Sequence, residues 1–279
     1  MDEEQRFSFD TWGFLCVEEA ISPEQVRELK TTVDEKGPDL HSQHADRGGF
    51  WSQAFVDLLD VPVISNILQE IYGGASADGL PPFRIDHINI HTHGTFNKDL
   101  AGGTLHGGNG RLLNPQRAPE LVTHYFARDT DRQTFANGLV TVAYELEDTL
   151  CNQGGFGCLA GSHKGHFPVP EPWRDLAKGV HPMITRVPAR AGSAIIFTEA
   201  LFHVTLPWTA PSTRTTLFYK YTGREESYSG PNNFFAPSDA DQWQGIDERK
   251  RTILTPPPQA VIERKAELAR QEQDTDAGQ

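Results

Sequence analysis

Strict alternation of polar and apolar residues over positions 83–93, FRIDHINIHTH, constrains the fold more than any other stretch of the chain. A two-residue period is typical of a β-strand, because successive side chains point to opposite faces. The polar face carries His87, Asn89, His91 and His93, and isoleucines take the other face. That polar face either lines a binding cavity or faces solvent, and the stretch alone leaves both possibilities open.

Further short β-like runs follow, separated by Gly, Pro and Asn clusters and without long helical patterns between them. They cover 121–126, 138–145, 184–188, 193–198 and 213–221. Many short strands with this punctuation indicate a sandwich or barrel with helices packed outside it. The predicted class is therefore mainly β with flanking helices.

Apart from the C-terminal segment, the helices are expected before this β region. Residues 7–35 predict a short apolar strand and then a helix, which begins with Pro23 after a capping box formed by Ser22 and Gln25. A second helix is expected from about 61 to 72, where apolar residues recur at helical spacing and Gly73 with Gly74 follows. The intervening polar segment, 36–50, predicts a loop in which His41 and His44 are solvated.

Length and composition favour one domain over residues 1–279, with a core over about 7–235. Residues 255–279 form a C-terminal extension, because a run of three prolines precedes a charged segment that predicts a helix fraying into disorder. The three cysteines show no CxxC spacing, which favours free thiols over a zinc site or a disulfide framework.

The charge balance narrows the class of partner. Asp and Glu total 38 against 25 Lys and Arg, a formal net charge of −13, which disfavours a nucleic-acid polymer or an anionic membrane surface. A small-molecule substrate, including a small anion held by local Arg or Lys, remains compatible. The acidic start and the lack of a long apolar run predict a cytoplasmic protein. The oligomeric state is left open.

Three residues of the β region form a candidate iron site. His106 lies in the glycine-dense segment GGTLHGGNG, His203 follows the apolar run 193–198, and Arg214 opens the run RTTLFYKY. Non-haem Fe(II) oxygenases place three protein ligands, usually two His and one carboxylate, on one side of the metal. The opposite side is left for a chelating co-substrate and O2.

Three segments in order resemble the phytanoyl-CoA dioxygenase family over about residues 7–225. The opening FSFDTWGFLCVEEAISPEQVRELK is similar to its Gly-Phe strand and Ser/Pro-capped helix. The centre GLVTVAYELEDTLCNQGGFGCLAGSHKGHF is similar to its mid-domain signature, with Ala160 where Pro is usual and 154–157 as a turn. The end AGSAIIFTEALFHVTLPWTAPSTRTTLFYKY resembles its distal histidine and arginine. The resemblance implies a double-stranded β-helix, the jelly-roll or cupin-like core, and Fe(II)/2-oxoglutarate chemistry.

The resemblance also implies roles for individual residues. His106 and His203 match the two histidines that bind iron, and Arg214 matches the arginine that grips the far carboxylate of 2-oxoglutarate. A guanidinium suits this task because its planar fork donates two parallel hydrogen bonds and stays charged. Thr216 lies two residues further on the same strand face and is expected to donate a third bond.

The departure from the family lies at Gly108, where the His-x-Asp motif has its carboxylate ligand. Glycine or alanine at this position marks the halogenases of this chemistry, in which chloride binds iron in place of the carboxylate. The implied cofactors are Fe(II), 2-oxoglutarate, chloride and O2, with Gly108 at the chloride site. The implied reaction chlorinates an unactivated C–H bond, through hydrogen abstraction by an Fe(IV)-oxo species and chlorine rebound.

Three alternatives to a chloride site stay open. Another acid folds back onto the metal, and Asp99, Glu145 or Glu199 is the candidate. The site uses two His and water and the chain is a hydroxylase of the same family. The metal site is degenerate and the chain is a catalytically silent binding protein, which fits poorly with the retention of His106 and His203.

The resemblance to halogenases with this His-Gly-Gly variant implies a free adenine deoxynucleotide, attacked at its 2′ carbon, as the substrate. Such a substrate needs local cations for the phosphate and an aromatic or apolar slot for the base. Candidate phosphate contacts are His91, His93, Lys98, Arg111 and Arg117, and candidate base contacts are Phe96, Tyr125, Phe126 and Trp208.

Overall fold

The structure, a computed structural model, describes residues 1–36, 52–74, 76–93, 103–113, 123–129, 134–228 and 241–277. The helices are α1 (Glu3–Trp12), α2 (Pro23–Lys36), α3 (Gln53–Asp57), α4 (Pro62–Ile71), α5 (Gly110–Leu113), α6 (Glu171–Arg174), α7 (Glu248–Leu254) and α8 (Gln259–Ala277). The strands are β1 (Phe14–Val17), β2 (Phe83–His93), β3 (Tyr125–Asp129), β4 (Thr134–Asn137), β5 (Val140–Glu145), β6 (Gly155–Cys158), β7 (Thr185–Val187), β8 (Ala194–Thr198), β9 (His203–Leu206) and β10 (Arg214–Gly223).

Three antiparallel sheets make up the described β structure. The largest has five strands in the order β1-β8-β5-β10-β2, a second has the order β7-β6-β9, and β3 pairs with β4. Non-consecutive strands lie side by side in the large sheet, so residues far apart in sequence share its faces. The predicted class, mainly β with flanking helices, is confirmed.

The two faces of the large sheet have different partners. Its inner face packs against the three-stranded sheet through a cluster that includes Phe14, Phe156, Phe197 and Phe218. Its outer face packs against α2, α4 and α7 through the larger core cluster, to which β5 contributes Val140, Val142 and Tyr144. The alternation of side chains along each strand produces this division.

The two predicted N-terminal helices are confirmed. Before α2, Ser22 Oγ accepts from the Gln25 backbone N–H at 3.2 Å, and the Ser22 N–H donates to Gln25 Oε1 at 3.0 Å, which is the predicted capping box. Helix α4 has Pro62 in its first turn and buries an apolar stripe of which Ile64 and Leu68 are part. Both helices cover the outer face of the large sheet.

Three features of the elements differ from the expectations. The predicted apolar strand is β1, but the residues before Gly13 form the additional helix α1, since Asp2 and Gln5 make a capping box and Gly13 ends the helix at φ 84°. The expected C-terminal helix is α8, but α7 also follows the β region, because its Ile253 and Leu254 complete the main core. The 154–157 segment is strand from Gly155 onward, where a Cβ at Gly157 would lie 2.8 Å from Leu206 Cγ, so the glycine permits close strand packing.

Within the described ranges, no helix combines the length and apolar character needed to cross a membrane.

Candidate metal centre

His106 and His203 are brought together by backbone pairing at the edge of the three-stranded sheet. The His106 N–H donates to the His203 carbonyl at 3.0 Å, and the His203 N–H donates to the His106 carbonyl at 2.8 Å. The ring centroids lie 4.3 Å apart. His203 is buried and His106 is exposed, so the pair lies where the interior meets solvent.

The same local hydrogen bond orients both rings. Nδ1 of His106 donates to the Thr104 carbonyl at 2.7 Å, and Nδ1 of His203 donates to the Leu201 carbonyl at 2.8 Å. A carbonyl oxygen only accepts, so in each neutral ring the proton is on Nδ1 and Nε2 keeps its lone pair. This is the tautomer that a metal-binding histidine needs at Nε2.

Glu199 supplies a carboxylate at the same point. One ligand atom from each of His106, Glu199 and His203 lies within 4.8 Å of the others, and this is the described group of three that could hold a metal ion. Oε2 of Glu199 is 3.5 Å from Nε2 of His203. Burial lowers the pKa of His203 to about 4, against the opposing pull of Glu199, so at neutral pH this contact joins two acceptors and is not an ion pair.

The other oxygen of Glu199 is held by the large sheet. Oε1 accepts from Thr141 Oγ1 at 2.5 Å and from Lys220 Nζ at 2.8 Å. Burial by itself would raise the pKa of Glu199, but Lys220 and the nearby His203 outweigh it and hold that pKa well below its usual range. Glu199 is therefore a charged carboxylate with one oxygen anchored and one facing the two imidazoles.

Gly107 and Gly108 shape the loop after His106, both at positive φ. A Cβ at Gly107 would lie 2.3 Å from the Leu201 carbonyl oxygen, so only glycine allows the loop to approach His203 so closely. A Cβ at Gly108 would lie 2.7 Å from Leu113 Cδ1 and from Phe202 Cζ. The Cβ of any side chain at position 108 would thus point at packed apolar groups and overlap them. The chloride site assigned to Gly108 stays a prediction.

Arg214, the residue predicted to grip 2-oxoglutarate, is paired with Glu145. Its Nε donates to Glu145 Oε2 at 3.0 Å and its Nη2 donates to Oε1 at 2.5 Å. Thr216 Oγ1 donates to the same carboxylate at 2.9 Å. The side chains of Arg214 and Glu145 are 1% and 0% exposed. The two predicted donors, Arg214 and Thr216, therefore lie together on one face, but they bind the carboxylate of Glu145.

The polar residues of β2 lie on the same inner face as these groups. In the antiparallel register Arg214 is opposite His93, Thr216 is opposite His91, and Phe218 is opposite Asn89. Paired residues share a face, so the polar side of β2 faces inward, as one of the two possibilities left open by its sequence requires. His91 packs against Phe218 with ring centroids 4.7 Å apart.

Three of the other candidate substrate contacts are described with their surroundings, and their roles toward a substrate stay predictions. Tyr125 donates its hydroxyl to Asp10 of α1, and Trp208 donates its ring N–H to the Ser212 carbonyl at 2.6 Å within its own turn. Arg111 is exposed on α5. The positions outside the described residues are Phe96, Lys98, Asp99, Arg117, His41 and His44, and the side chain of Phe126 is also not described.

Lys220 and Thr141 are the residues of this centre that sequence reasoning missed. Both face inward, and their strands place them opposite each other in the β5–β10 register. Alternation along RTTLFYKY puts position 220 on the same face as Arg214 and Thr216, so that signal was available in the sequence. Their partner Glu199 was one of three acids considered.

No family profile matches the sequence, and no curated protein matches it. Solved structures do match. HygX from Streptomyces hygroscopicus with nickel and 2-oxoglutarate bound is 21% identical, with a TM-score of 0.65 over 81% of this chain and 88% of that one. The non-haem alpha-ketoglutarate-dependent carbocyclase SnoK from nogalamycin biosynthesis is 18% identical, with a TM-score of 0.53 over 81% and 85%.

AviO1 from Streptomyces viridochromogenes Tue57 is 15% identical, with a TM-score of 0.53 over 82% of this chain and 97% of that chain. At these identities the comparisons establish a shared fold. The chain folds as these proteins do, over most of their length and most of its own.

Proposed function

We propose that the chain is a non-haem Fe(II)-dependent oxygenase that consumes a 2-oxo acid, with His106, Glu199 and His203 as the protein ligands. The observation that carries this proposal is the convergence of one ring nitrogen from each of two imidazoles and one carboxylate oxygen within 4.8 Å. Three electron-pair donors face one another there, and a cation between them removes their mutual repulsion.

The donor set fits Fe(II). Two neutral imidazoles and one carboxylate are the ligands of non-haem Fe(II) oxygenases and also of some catalytic zinc sites. The shared fold with HygX, which is described with iron bound, favours iron. The Nδ1 bonds of both histidines to backbone carbonyls are the outer contacts that fix a ligand's orientation. Bound Fe(II) supplies the activation of O2 that lets a 2-oxo acid drive oxidation of a C–H bond.

The protein's own residues divide the remaining tasks. Lys220 and Thr141 hold Oε1 of Glu199, so that Oε2 alone faces the metal position. The inner face of the large sheet, with His91 and Phe218, forms the wall on which a co-substrate and a substrate lie. In this proposal the two main sheets are the halves of a double-stranded β-helix.

Support for a 2-oxo acid comes from two directions. HygX and SnoK, which share the fold, are described with 2-oxoglutarate or as alpha-ketoglutarate dependent. In this chain, Arg214 and Thr216 form the kind of donor set that holds a carboxylate. Because Glu145 occupies these donors in the structure, 2-oxoglutarate is tested together with 2-oxo acids that have a single carboxylate.

Halogenation is the second candidate, and the absence of a carboxylate at Gly108 favours it. Two features of the centre favour oxygenation instead. Glu199 already supplies a negative ligand, and the Cβ direction at Gly108 leads to Leu113 and Phe202. We therefore rank hydroxylation or a related oxidation first and chlorination second.

The proposed substrate is a polar small molecule. HygX binds hygromycin B in one of its structures, which shows the size that this fold accepts in that protein. The inner face offers imidazoles from His91 and His93 for polar groups. An adenine deoxynucleotide remains the specific candidate from the sequence and belongs in the same screen.

Metal binding tests the centre directly. Anaerobic Co(II) titration, read by visible absorption, should give one tight site in the native chain. We expect its affinity to fall by about 100-fold or more in His203→Ala and Glu199→Ala, since even the outer contacts of metal ligands are worth 10- to 100-fold. His166→Ala removes an exposed histidine and serves as the matched control. Native affinity in Glu199→Ala would remove Glu199 from the ligand set.

The reaction is tested by screening. Purified protein with Fe(II), 2-oxoglutarate and O2 is incubated with polar metabolites and nucleotides, with and without chloride, and products are read by mass spectrometry. A mass gain of one oxygen, or loss of two hydrogens, supports oxygenation. A chlorine isotope pattern that requires chloride would reverse our ranking of the two candidates.

A further inference from the structure

Glu145 occupies the donors that a co-substrate would need. Its carboxylate receives Nε and Nη2 of Arg214 and the hydroxyl of Thr216. A 2-oxo acid with a second, distal carboxylate needs a bidentate guanidinium and a nearby hydroxyl for the same purpose. The protein thus already places a carboxylate of its own where a dicarboxylic co-substrate would put one.

The strand register and burial fix the position of Glu145. Strands β5 and β10 pair so that Glu145 is directly opposite Thr216, on the inner face that also carries Arg214. The Glu145 side chain has 0% exposure, and all three contacts involve buried groups. A buried carboxylate with this many charge-assisted bonds leaves its partners only when something replaces them.

Simultaneous binding of Glu145 and a second carboxylate is disfavoured. Nη1 of Arg214 is buried and has no hydrogen-bond partner among the described residues, so this one nitrogen can donate a hydrogen bond to an incoming anion. The Thr216 hydroxyl is already donated to Glu145. A second carboxylate beside Glu145 would also put two like charges in a buried place around one guanidinium.

We propose that Glu145 determines co-substrate specificity, by occupying the distal-carboxylate subsite on Arg214 and Thr216 so that 2-oxo acids with a single carboxylate bind in preference to 2-oxoglutarate. This inference rests on the proposed function, because it concerns the same centre. It adds the chemical class of the co-substrate. A 2-oxo monocarboxylate such as pyruvate keeps the chelating end and leaves the Arg214–Glu145 pair intact.

The test is anaerobic binding of 2-oxoglutarate and of pyruvate to the Fe(II)-loaded protein, read by the visible band that an Fe(II)-bound 2-oxo acid produces. The native chain is compared with Glu145→Gln, which removes the charge at nearly constant volume, and with Glu145→Ala, which also empties the subsite. Glu24→Gln is the matched control, since Glu24 is exposed on α2, outside the inner face of the sheet, and pairs with Arg27 at 2.9 Å. Co(II) affinity of each variant reports whether the metal centre is intact.

We expect pyruvate to bind the native chain more tightly than 2-oxoglutarate does. In Glu145→Gln and Glu145→Ala, affinity for 2-oxoglutarate should rise at least about tenfold, which is the factor that one charge-assisted hydrogen bond supplies. Affinity for pyruvate should change little. Glu24→Gln should leave both affinities unchanged. The melting temperature should rise on adding 2-oxoglutarate by more in Glu145→Gln than in the native chain, because the ligand restores a partner to Arg214.

Weaker 2-oxoglutarate binding in Glu145→Gln with native Co(II) affinity would show that Glu145 supports Arg214 as a receptor, and would overturn the proposal. Unchanged 2-oxoglutarate binding would overturn it as well. Normal Co(II) binding with no band for either acid in any variant would reject both the inference and the use of a 2-oxo acid. Native Co(II) affinity in both His203→Ala and Glu199→Ala would reject the metal centre itself.

Discussion

Lys220 Nζ lies 2.8 Å from Oε1 of Glu199, while the other oxygen of that carboxylate lies 3.5 Å from Nε2 of His203. The carboxylate is therefore shared between a lysine of the large sheet and the imidazoles at the edge of the small one. Lys220 is the positive charge that permits Glu199 to be buried and ionised before any metal binds.

Lys220→Met is expected to destabilise the metal-free protein by about 3 kcal/mol, because it leaves a buried carboxylate with only Thr141 as a described partner. A bound cation would supply the missing positive charge. Co(II) should therefore raise the melting temperature of Lys220→Met by more than it raises that of the native chain. Differential scanning fluorimetry with and without Co(II) measures both effects.

Lys30→Met provides the control for that experiment. Lys30 pairs with Glu147 at 2.7 Å but is 41% exposed, so its loss should cost under about 1 kcal/mol and leave the Co(II) effect unchanged. Equal Co(II) effects in the native chain and in Lys220→Met would show that Lys220 does not balance a metal-binding carboxylate.

The Arg214–Glu145 pair should show strong coupling in a double-mutant cycle. Arg214→Met alone leaves Glu145 buried without its main partner and should cost about 3–5 kcal/mol of unfolding free energy. Arg214→Met with Glu145→Leu removes both charges and should cost less than Arg214→Met alone. The unfolding free energy is measured in urea for the native chain, Arg214→Met, Glu145→Leu and the double variant. If the two single-variant losses simply added in the double variant, the result would contradict a coupled buried pair.

Gly108→Asp should not restore a carboxylate ligand. Position 108 has φ 104°, and its Cβ would overlap Leu113 and Phe202, so we expect strain of about 1–3 kcal/mol plus an overlap cost of similar size. Gly74→Asp is the matched control, with φ 93° and no atom within 4 Å of the added Cβ. In a Glu199→Ala background, recovery of Co(II) binding by Gly108→Asp would refute this geometry.

His163 predicts a pH dependence of stability. Burial lowers its pKa to about 4 from the ordinary 6.5, so between these values the unfolded chain binds the proton and the folded chain does not. Stability is therefore full above pH 6.5 and is lost as the pH falls toward 4, by up to about 3 kcal/mol from this group.

Denaturant unfolding of the native chain and of His163→Gln from pH 4 to pH 8 isolates that contribution. The difference in unfolding free energy between them should fall as the pH is lowered through this window. His166→Gln, at an exposed histidine, should follow the native curve throughout. Parallel curves for the native chain and His163→Gln would show that His163 has the same pKa in the folded and unfolded states, which would contradict the prediction.

Patterns of local origin were the ones that the sequence could predict. The period-two run that became β2 and the capping box before α2 depend on neighbours in the chain, and both are found. Helix α1 carries an equally local signal in Asp2 and Gln5, but only the strand that follows it, β1, was predicted.

Patterns of long-range origin were not accessible in the same way. The Arg214–Glu145 pair requires the β5–β10 register, and the approach of Glu199 to His106 requires the loop after β8 to meet the loop that precedes α5. Spacing along the chain contains neither fact. The missing acid at position 108 was visible in the sequence, and Glu199 was one of three acids named to replace it, but only the fold places Glu199 beside both histidines.

Each imidazole of the centre is oriented by a carbonyl only two residues earlier in its own segment, Thr104 for His106 and Leu201 for His203. Neither ring relies on the acid for its tautomer. In the proposed metal site the acid could therefore come from another position, provided that a cation placed as Lys220 is offsets its burial. An engineer could move it among strands while leaving both histidine segments untouched, and so choose which side of the metal stays open to small molecules.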